Sequence, residues 1–99
     1  MTDINAHEMI TRMQNGEHLN LLDVREKLEY HTYNIGGENI PLHDLKDKLV
    51  ELSWNKTEEI IVICKAGIRS ATAKSILELD GYQNIRNLTG GLLAYQRNQ

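Results

Sequence analysis

The run Ile60-Ile61-Val62-Ile63 constrains the fold of this chain more than any other segment. Four consecutive aliphatic residues, mostly β-branched, suit a strand buried on both faces, and such strands belong to parallel sheets covered by helices on either side. The flanking segments read as the parts of such a sheet. Leu19 to Val24 is a second apolar run of strand length, bounded by Gly16 before it and charged residues after it. Ile85 to Leu88 is a further short strand. Asn39-Ile40-Pro41 is a very short edge strand, because Pro41 has no N–H to give to a ladder.

Helical patterns separate these strands. Asn5-Ala6-His7-Glu8 reads as a capping box opening a short helix, with Met9, Ile10 and Met13 as its apolar stripe up to Gly16. Glu26 to Tyr33 has room for one or two helical turns. From Leu42, the positions Leu45, Leu49 and Leu52 recur in three- and four-residue steps, which predicts an amphipathic helix ending before Trp54. Ser70 is expected to cap a helix that carries Ala73, Ile76, Leu77 and Asp80 along one side and stops at Gly81. Gly90-Gly91 opens a last helix through Leu92, Leu93 and Tyr95. Strands alternating with helices in this way predict an α/β fold, a parallel sheet with helices on both faces, in one domain over residues 1–99.

Composition narrows the function classes. Ninety-nine residues, 40% of them hydrophobic, can bury one core and leave no room for a second domain. No stretch approaches the roughly 18 consecutive apolar residues of a membrane span, and the start Met1-Thr2-Asp3-Ile4-Asn5 lacks a basic-then-apolar secretory signal, so a cytoplasmic protein is expected. A net charge of −3 supplies no basic face for nucleic acid or an anionic membrane, and neither is expected as a partner. A single cysteine, Cys64, excludes an internal disulfide and any zinc site with more than one thiolate. His7, His18, His31 and His43 show no H-x-x-x-H pairing, and no metal or other cofactor is expected.

Cys64 stands at the C-terminal end of the central strand, the edge where open α/β sheets bind ligands. The segment Cys64-Lys65-Ala66-Gly67-Ile68-Arg69-Ser70 joins that strand to the next helix, so its N–H groups have no sheet or helix partners and can turn inward around one atom. A ring of such donors beside a helix N-terminus binds anions and lowers the pKa of a thiol held there. Lys65 and Arg69 act in the same direction. The thiolate is a nucleophile, and a terminal persulfide is an anion that the same donors stabilise. Gly67 is expected to need a positive φ or a close backbone approach. The bland alternative, Cys64 as a small buried hydrophobe, is weakened by the cation, glycine, arginine and serine that follow it. Asp23, at the end of a buried strand, must be paired, and it is expected to orient a basic side chain rather than to act as a base.

Four ordered segments resemble one family over nearly the whole chain. Leu21-Leu22-Asp23-Val24-Arg25-Glu26 is similar to an L-x-D-V-R-x segment, Asn39-Ile40-Pro41-Leu42 to N-I-P-L, Cys64 to Ser70 to a C-x-x-G-x-R-S loop, and Gly90-Gly91-Leu92-Leu93-Ala94-Tyr95 to a G-G-x-x-A-W ending. These are the marks of the rhodanese-like domain. The resemblance implies a small α/β fold with a five-stranded, mostly parallel sheet. It also implies transfer of sulfane sulfur from thiosulfate or a related donor to a thiol, a protein thiol or cyanide, with Cys64 as the carrier. Arg25 would then help to hold an anionic donor, and Lys65 and Arg69 would shape charge around the sulfur. Two departures stand out: Tyr33-Asn34-Ile35-Gly36-Gly37-Glu38 where the family often has G-H-I-x-G-A, and Tyr95 in place of the usual tryptophan.

Two other functions compete. A cysteine phosphatase or arsenate reductase also sets a cysteine in an anion-binding loop ending in arginine, but its loop is longer. Here only Lys65, Ala66, Gly67 and Ile68 intervene, a ring better sized for one sulfur atom than for a phosphoryl group. No aspartate is clearly placed as the general acid for a leaving alcohol. A non-catalytic binding or regulatory module is the other possibility, and the retained Cys64 with its flanking cations argues against it. Without a second cysteine, a persulfide on Cys64 must pass to an outside acceptor, which predicts ping-pong kinetics.

Overall fold

The computed structural model describes residues 2–99; Met1, the first residue of the segment read above as carrying no secretory signal, lies outside them. Along the chain the elements run α1 (Ala6–Gln14), β1 (Leu21–Asp23), α2 (Lys27–Thr32), β2 (Glu38–Asn39), α3 (Leu42–Lys48), β3 (Ile60–Ile63), α4 (Ile68–Leu79), β4 (Ile85–Asn87) and α5 (Gly91–Arg97), with a 3-10 turn at Leu49–Glu51. The strands form one parallel sheet in the order β2-β1-β3-β4. β3 is interior, as its unbroken aliphatic run predicts, and all four of its side chains are buried.

The two faces of the sheet carry separate cores because side chains alternate along each strand. Ile60, Val62 and Cys64 join Leu22, Val24, Leu45, Ala73 and Leu77 on the side covered by α3 and α4. Ile61 and Ile63 join Ile4, Met9, Leu21, Leu88, Leu92 and Tyr95 on the side covered by α1 and α5. Ile60, Ile61, Val62 and Ile63 are each 0% exposed, and burying a side chain of this size contributes roughly 1.5–3 kcal/mol.

Several expectations are corrected. Among the described residues the sheet has four strands, not five. The fifth is reduced to a single residue: the Ile4 N–H donates to the Asn87 carbonyl at 3.0 Å, and the Ile4 carbonyl accepts from Thr89 at 2.9 Å. Pairing stops there because Asn5 already caps α1, its Oδ1 accepting the Glu8 N–H at 2.8 Å. The other half of the expected capping box is absent, since the Glu8 carboxylate bonds to Arg86 at 2.8 Å. The edge strand falls at Glu38–Asn39, and Pro41 occupies the N-cap position of α3. That helix gives way to the 3-10 turn after Lys48. Asp80 is exposed and ends α4 instead of sharing its buried side with Ala73 and Leu77.

Ser70 is not the cap of α4. The N-cap is Gly67, and Ser70 is the third residue of the helix, fully buried. A serine one turn into a helix cannot serve the helix's own leading N–H groups, so its hydroxyl is free to bond elsewhere.

Candidate active site

Cys64 follows β3 directly, and its side chain lies on the α3/α4 face of the sheet. The chain must turn at once from strand to helix, and Gly67 permits it with a φ of +93°. A Cβ at Gly67 would also stand 3.0 Å from the Gly90 nitrogen, so both reasons for a glycine apply there. The turn brings α4 in with its N-terminus facing the sulfur.

The Sγ of Cys64 accepts the N–H of Gly67 at 3.0 Å and the N–H of Ser70 at 3.3 Å, and the Ser70 Oγ lies 3.2 Å from it. Burial of the thiol pushes its pKa up, because an anion is costly away from water. The Ser70 hydroxyl and the amides of Ser70, Gly67 and Ala66 pull it down, and the net result lies below the ordinary thiol value. Cys64 is 1% exposed, whereas Lys65, Ala66 and Ile68 of its own loop are exposed. No bond from the Ile68 or Arg69 amide reaches the sulfur among the described residues; Ile68 turns its side chain to solvent at 77% exposure.

Ser70 has one hydroxyl hydrogen and two neighbours that can take it. Its Oγ donates to the Oδ1 of Asn87, whose Nδ2 in turn donates to the Gly67 carbonyl at 3.1 Å and so fixes the amide's orientation. A thiol can donate into this chain through Ser70 to Asn87; a sulfur anion instead draws the Ser70 hydrogen to itself. Asn87 belongs to β4, and the sequence reading did not single it out. A polar residue inside a strand otherwise made of buried positions is the signal that could have found it.

The loop is also held from α5. The Leu92 N–H donates to the Cys64 carbonyl at 2.9 Å and the Leu93 N–H to the Lys65 carbonyl at 3.0 Å. These are leading amides of a helix with no partners inside it, so they bind the loop at no cost to α5. Gly91 makes the approach possible: a Cβ there would lie 2.5 Å from both carbonyl oxygens.

The cations expected around the sulfur are mostly engaged by the protein itself. Arg25 is 5% exposed and grips Asp23, 0% exposed, through Nε (3.0 and 3.2 Å) and Nη2 (2.8 Å). It also donates to the carbonyls of Tyr33 at 2.7 Å and Glu29 at 3.4 Å. Asp23 therefore lies against Arg25, and the guanidinium is not presented as a free anion site. Arg69 makes a two-point pair with Glu29, at 2.7 and 3.1 Å. The Arg69 guanidinium holds the Glu29 carboxyl down to about 2 against an opposing push from burial. Glu29 escaped the sequence reading because nothing local distinguishes it from other helix-surface acids. Lys65 is exposed and lies, with Arg25 and Glu29, on a cleft of about 380 Å³ walled by Leu28, Tyr33, Leu92 and Leu93.

Comparison with known proteins places the chain in a family. The model of the Rhodanese-like domain matches residues 5–98. A putative sulfur carrier protein, YrkF, of Bacillus subtilis is 33% identical over 91% of this chain, which spans 48% of that protein's length. Thiosulfate sulfurtransferase PspE of Escherichia coli is 36% identical over 72% of this chain and 68% of its own. The crystal structure of SSP1007 from Staphylococcus saprophyticus superposes with a TM-score of 0.84 at 32% identity, covering 96% of this chain and 93% of that one. With the family model spanning all but the ends of the chain, this protein belongs to the rhodanese-like domain family.

Proposed function

We propose that this protein is a sulfurtransferase that carries sulfane sulfur as a persulfide on Cys64, taking it from thiosulfate or a similar donor and passing it to a thiol or cyanide. The observation that carries the reading is the sulfur-centred hydrogen bonding at the N-terminus of α4: two main-chain N–H groups and a buried hydroxyl around one atom. Such a site stabilises a thiolate before the reaction and a persulfide anion after it. The relative named as a thiosulfate sulfurtransferase and the one named as a putative sulfur carrier protein support the same chemistry.

In the first half-reaction the Cys64 thiolate attacks the sulfane sulfur of the donor. A new S–S bond forms to Cys64, the donor's S–S bond breaks, and sulfite leaves with the electron pair when the donor is thiosulfate. In the second, cyanide or an acceptor thiolate attacks the outer sulfur and the Cys64 thiolate departs. No net oxidation occurs and no cofactor is required. A cytoplasmic setting, where thiols are kept reduced, would maintain both Cys64 and its acceptors.

Steady-state kinetics with thiosulfate and cyanide test the reading. Parallel double-reciprocal lines are expected, as for a covalent intermediate, and Cys64→Ser abolishes turnover. Intersecting lines, or turnover that survives in Cys64→Ser, would contradict it.

A further inference from the structure

Ser70 stands between two acceptors with one hydrogen to give. Its Oγ lies 3.2 Å from the Cys64 Sγ on one side and is bonded to the Asn87 Oδ1 on the other. Ser70 is 0% and Asn87 6% exposed, so the protein itself has to satisfy both. The Asn87 carboxamide cannot turn over to offer its NH₂ to Ser70. Its Nδ2 already donates to the Gly67 carbonyl at 3.1 Å, and a reversed amide would set Oδ1 against that carbonyl. The residue is also fixed in β4, where its main-chain N–H donates to the Asp3 carboxylate at 3.1 Å.

One hydrogen and two acceptors mean competition. The carboxamide oxygen wins while Cys64 is a thiol, because a thiol sulfur accepts weakly and its own hydrogen can go to Ser70. A thiolate wins once the sulfur is charged, because a hydrogen bond to an ion is roughly twice as strong as one between neutral groups. Asn87 Oδ1 then gives up the hydrogen of Ser70 inside the protein, and that loss opposes ionisation. The acidity of the sulfur is thus adjusted by a residue one hydrogen bond removed from it.

We infer that Asn87 is a positioning residue that competes with Cys64 for the Ser70 hydrogen, and that this hydrogen changes partner at each half-reaction. The inference deepens the sulfurtransferase reading and rests on it for its role in turnover. In the resting thiolate the Ser70 O–H points at Sγ. As Sγ bonds to the sulfane sulfur, the donor's S–S bond breaks and its leaving group departs with that electron pair. The negative charge of the persulfide lies on the outer sulfur, Sγ becomes a neutral acceptor, and the Ser70 hydrogen returns to Asn87. When the acceptor takes the outer sulfur, the Cys64 S–S bond breaks, its electron pair comes back to Sγ, and the hydrogen follows. No proton leaves Ser70 at any stage; only the O–H direction changes. A thiolate stabilised without this competition would be more abundant but a weaker nucleophile, and Asn87 sets the balance.

The charged groups on the elements around Cys64 are Lys65 on its loop, Arg69 of α4 with Glu29 of α2, and Asp23 with Arg25 after β1. His43 of α3 pairs with Glu26, and Asp3 beside β4 pairs with Lys74. A leucine at position 87 is close to asparagine in size and removes only the carboxamide. It leaves these groups in place, Asp3 included, because that bond is to the main chain.

Asn87→Leu is expected to lower the midpoint of the pH profile for iodoacetamide reaction at Cys64, with alkylation at neutral pH quickened by about threefold. A merely loosened site would move the midpoint upward. In a Ser70→Ala background the same substitution is expected to leave the midpoint where Ser70→Ala puts it, since no hydrogen remains to compete for. A midpoint that stays or rises in a folded Asn87→Leu protein overturns the inference, as does an equal fall in both backgrounds. The wild-type protein supplies a check that needs no variant: the NMR resonance of the Asn87 side-chain carbonyl carbon should move through the thiol's own midpoint as Oδ1 loses its hydrogen. A resonance that stays fixed while Cys64 ionises overturns the inference too. None of these measurements uses a sulfur donor, so a protein that passes them all and still gains no sulfur would contradict the sulfurtransferase reading alone.

Discussion

At Cys64 two physical effects oppose each other, and hydrogen bonding wins over burial. The sulfur lies below its own loop, where an anion should be costly, yet the amides of Gly67 and Ser70 and the Ser70 hydroxyl surround it. The hydroxyl is the contributor most easily removed. Ser70→Ala should raise the thiol pKa and slow alkylation of Cys64 at neutral pH, on the order of tenfold for the loss of one hydrogen bond to a charged group. The pH profile of iodoacetamide reaction checks this: its midpoint moves upward in the variant. An unmoved midpoint would mean that the amides alone set the acidity. Asn87, which holds the hydroxyl from the β4 side, is a positioning residue for the same atom.

At the scale of elements, α2 is unusual in having no buried residue. It is attached to the rest of the protein by polar contacts: Arg25 to the carbonyls of Glu29 and Tyr33, and Arg69 of α4 to the Glu29 carboxylate. The Glu29 carboxyl titrates at about 2 when folded, against an ordinary value of 4.5. A depressed folded value means that its stabilising contribution is complete above about 4.5 and is lost as the pH falls toward 2. Hydrogen exchange in residues 27–32 should therefore quicken across that interval before the β3 amides are released. Uniform loss of protection in both elements would contradict a local role for the ion pair. The Asp23–Arg25 pair behaves differently because it is buried. Arg25→Ala leaves an unpaired carboxylate in the core and should cost about 3–5 kcal/mol in denaturant unfolding, not merely weaken a donor.

For the molecule as a whole, what could be read in the sequence was what is local. The central strand announced itself through an aliphatic run, and the loop through a cysteine, a glycine and two cations within six residues of one another. The partners that decide what the loop can do are distant in sequence. Glu29 meets Arg69 across 40 residues, Asn87 meets Ser70 across 17, and the amides of α5 reach back to Cys64 and Lys65. No periodicity or spacing encodes such pairings, so Arg69 reads as a free cation when it has a carboxylate partner; Arg25 differs, because its partner Asp23 stands only two residues away and the sequence already required that carboxylate to pair with a basic side chain. The missing fifth strand has a similar cause: whether Ile4 extends into a strand depends on how soon Asn5 turns the chain into α1.

The central claim is that this assembly of strand end, loop and helix N-terminus holds sulfur as an anion on one atom. It is tested most directly by weighing the intact protein after exposure to a sulfane-sulfur donor. The mass should rise by one sulfur atom, return to its starting value on treatment with a reducing thiol, and stay constant in Cys64→Ser. A wild-type protein that gains nothing from thiosulfate or from an organic persulfide, or a Cys64→Ser protein that gains the same mass, would contradict the account.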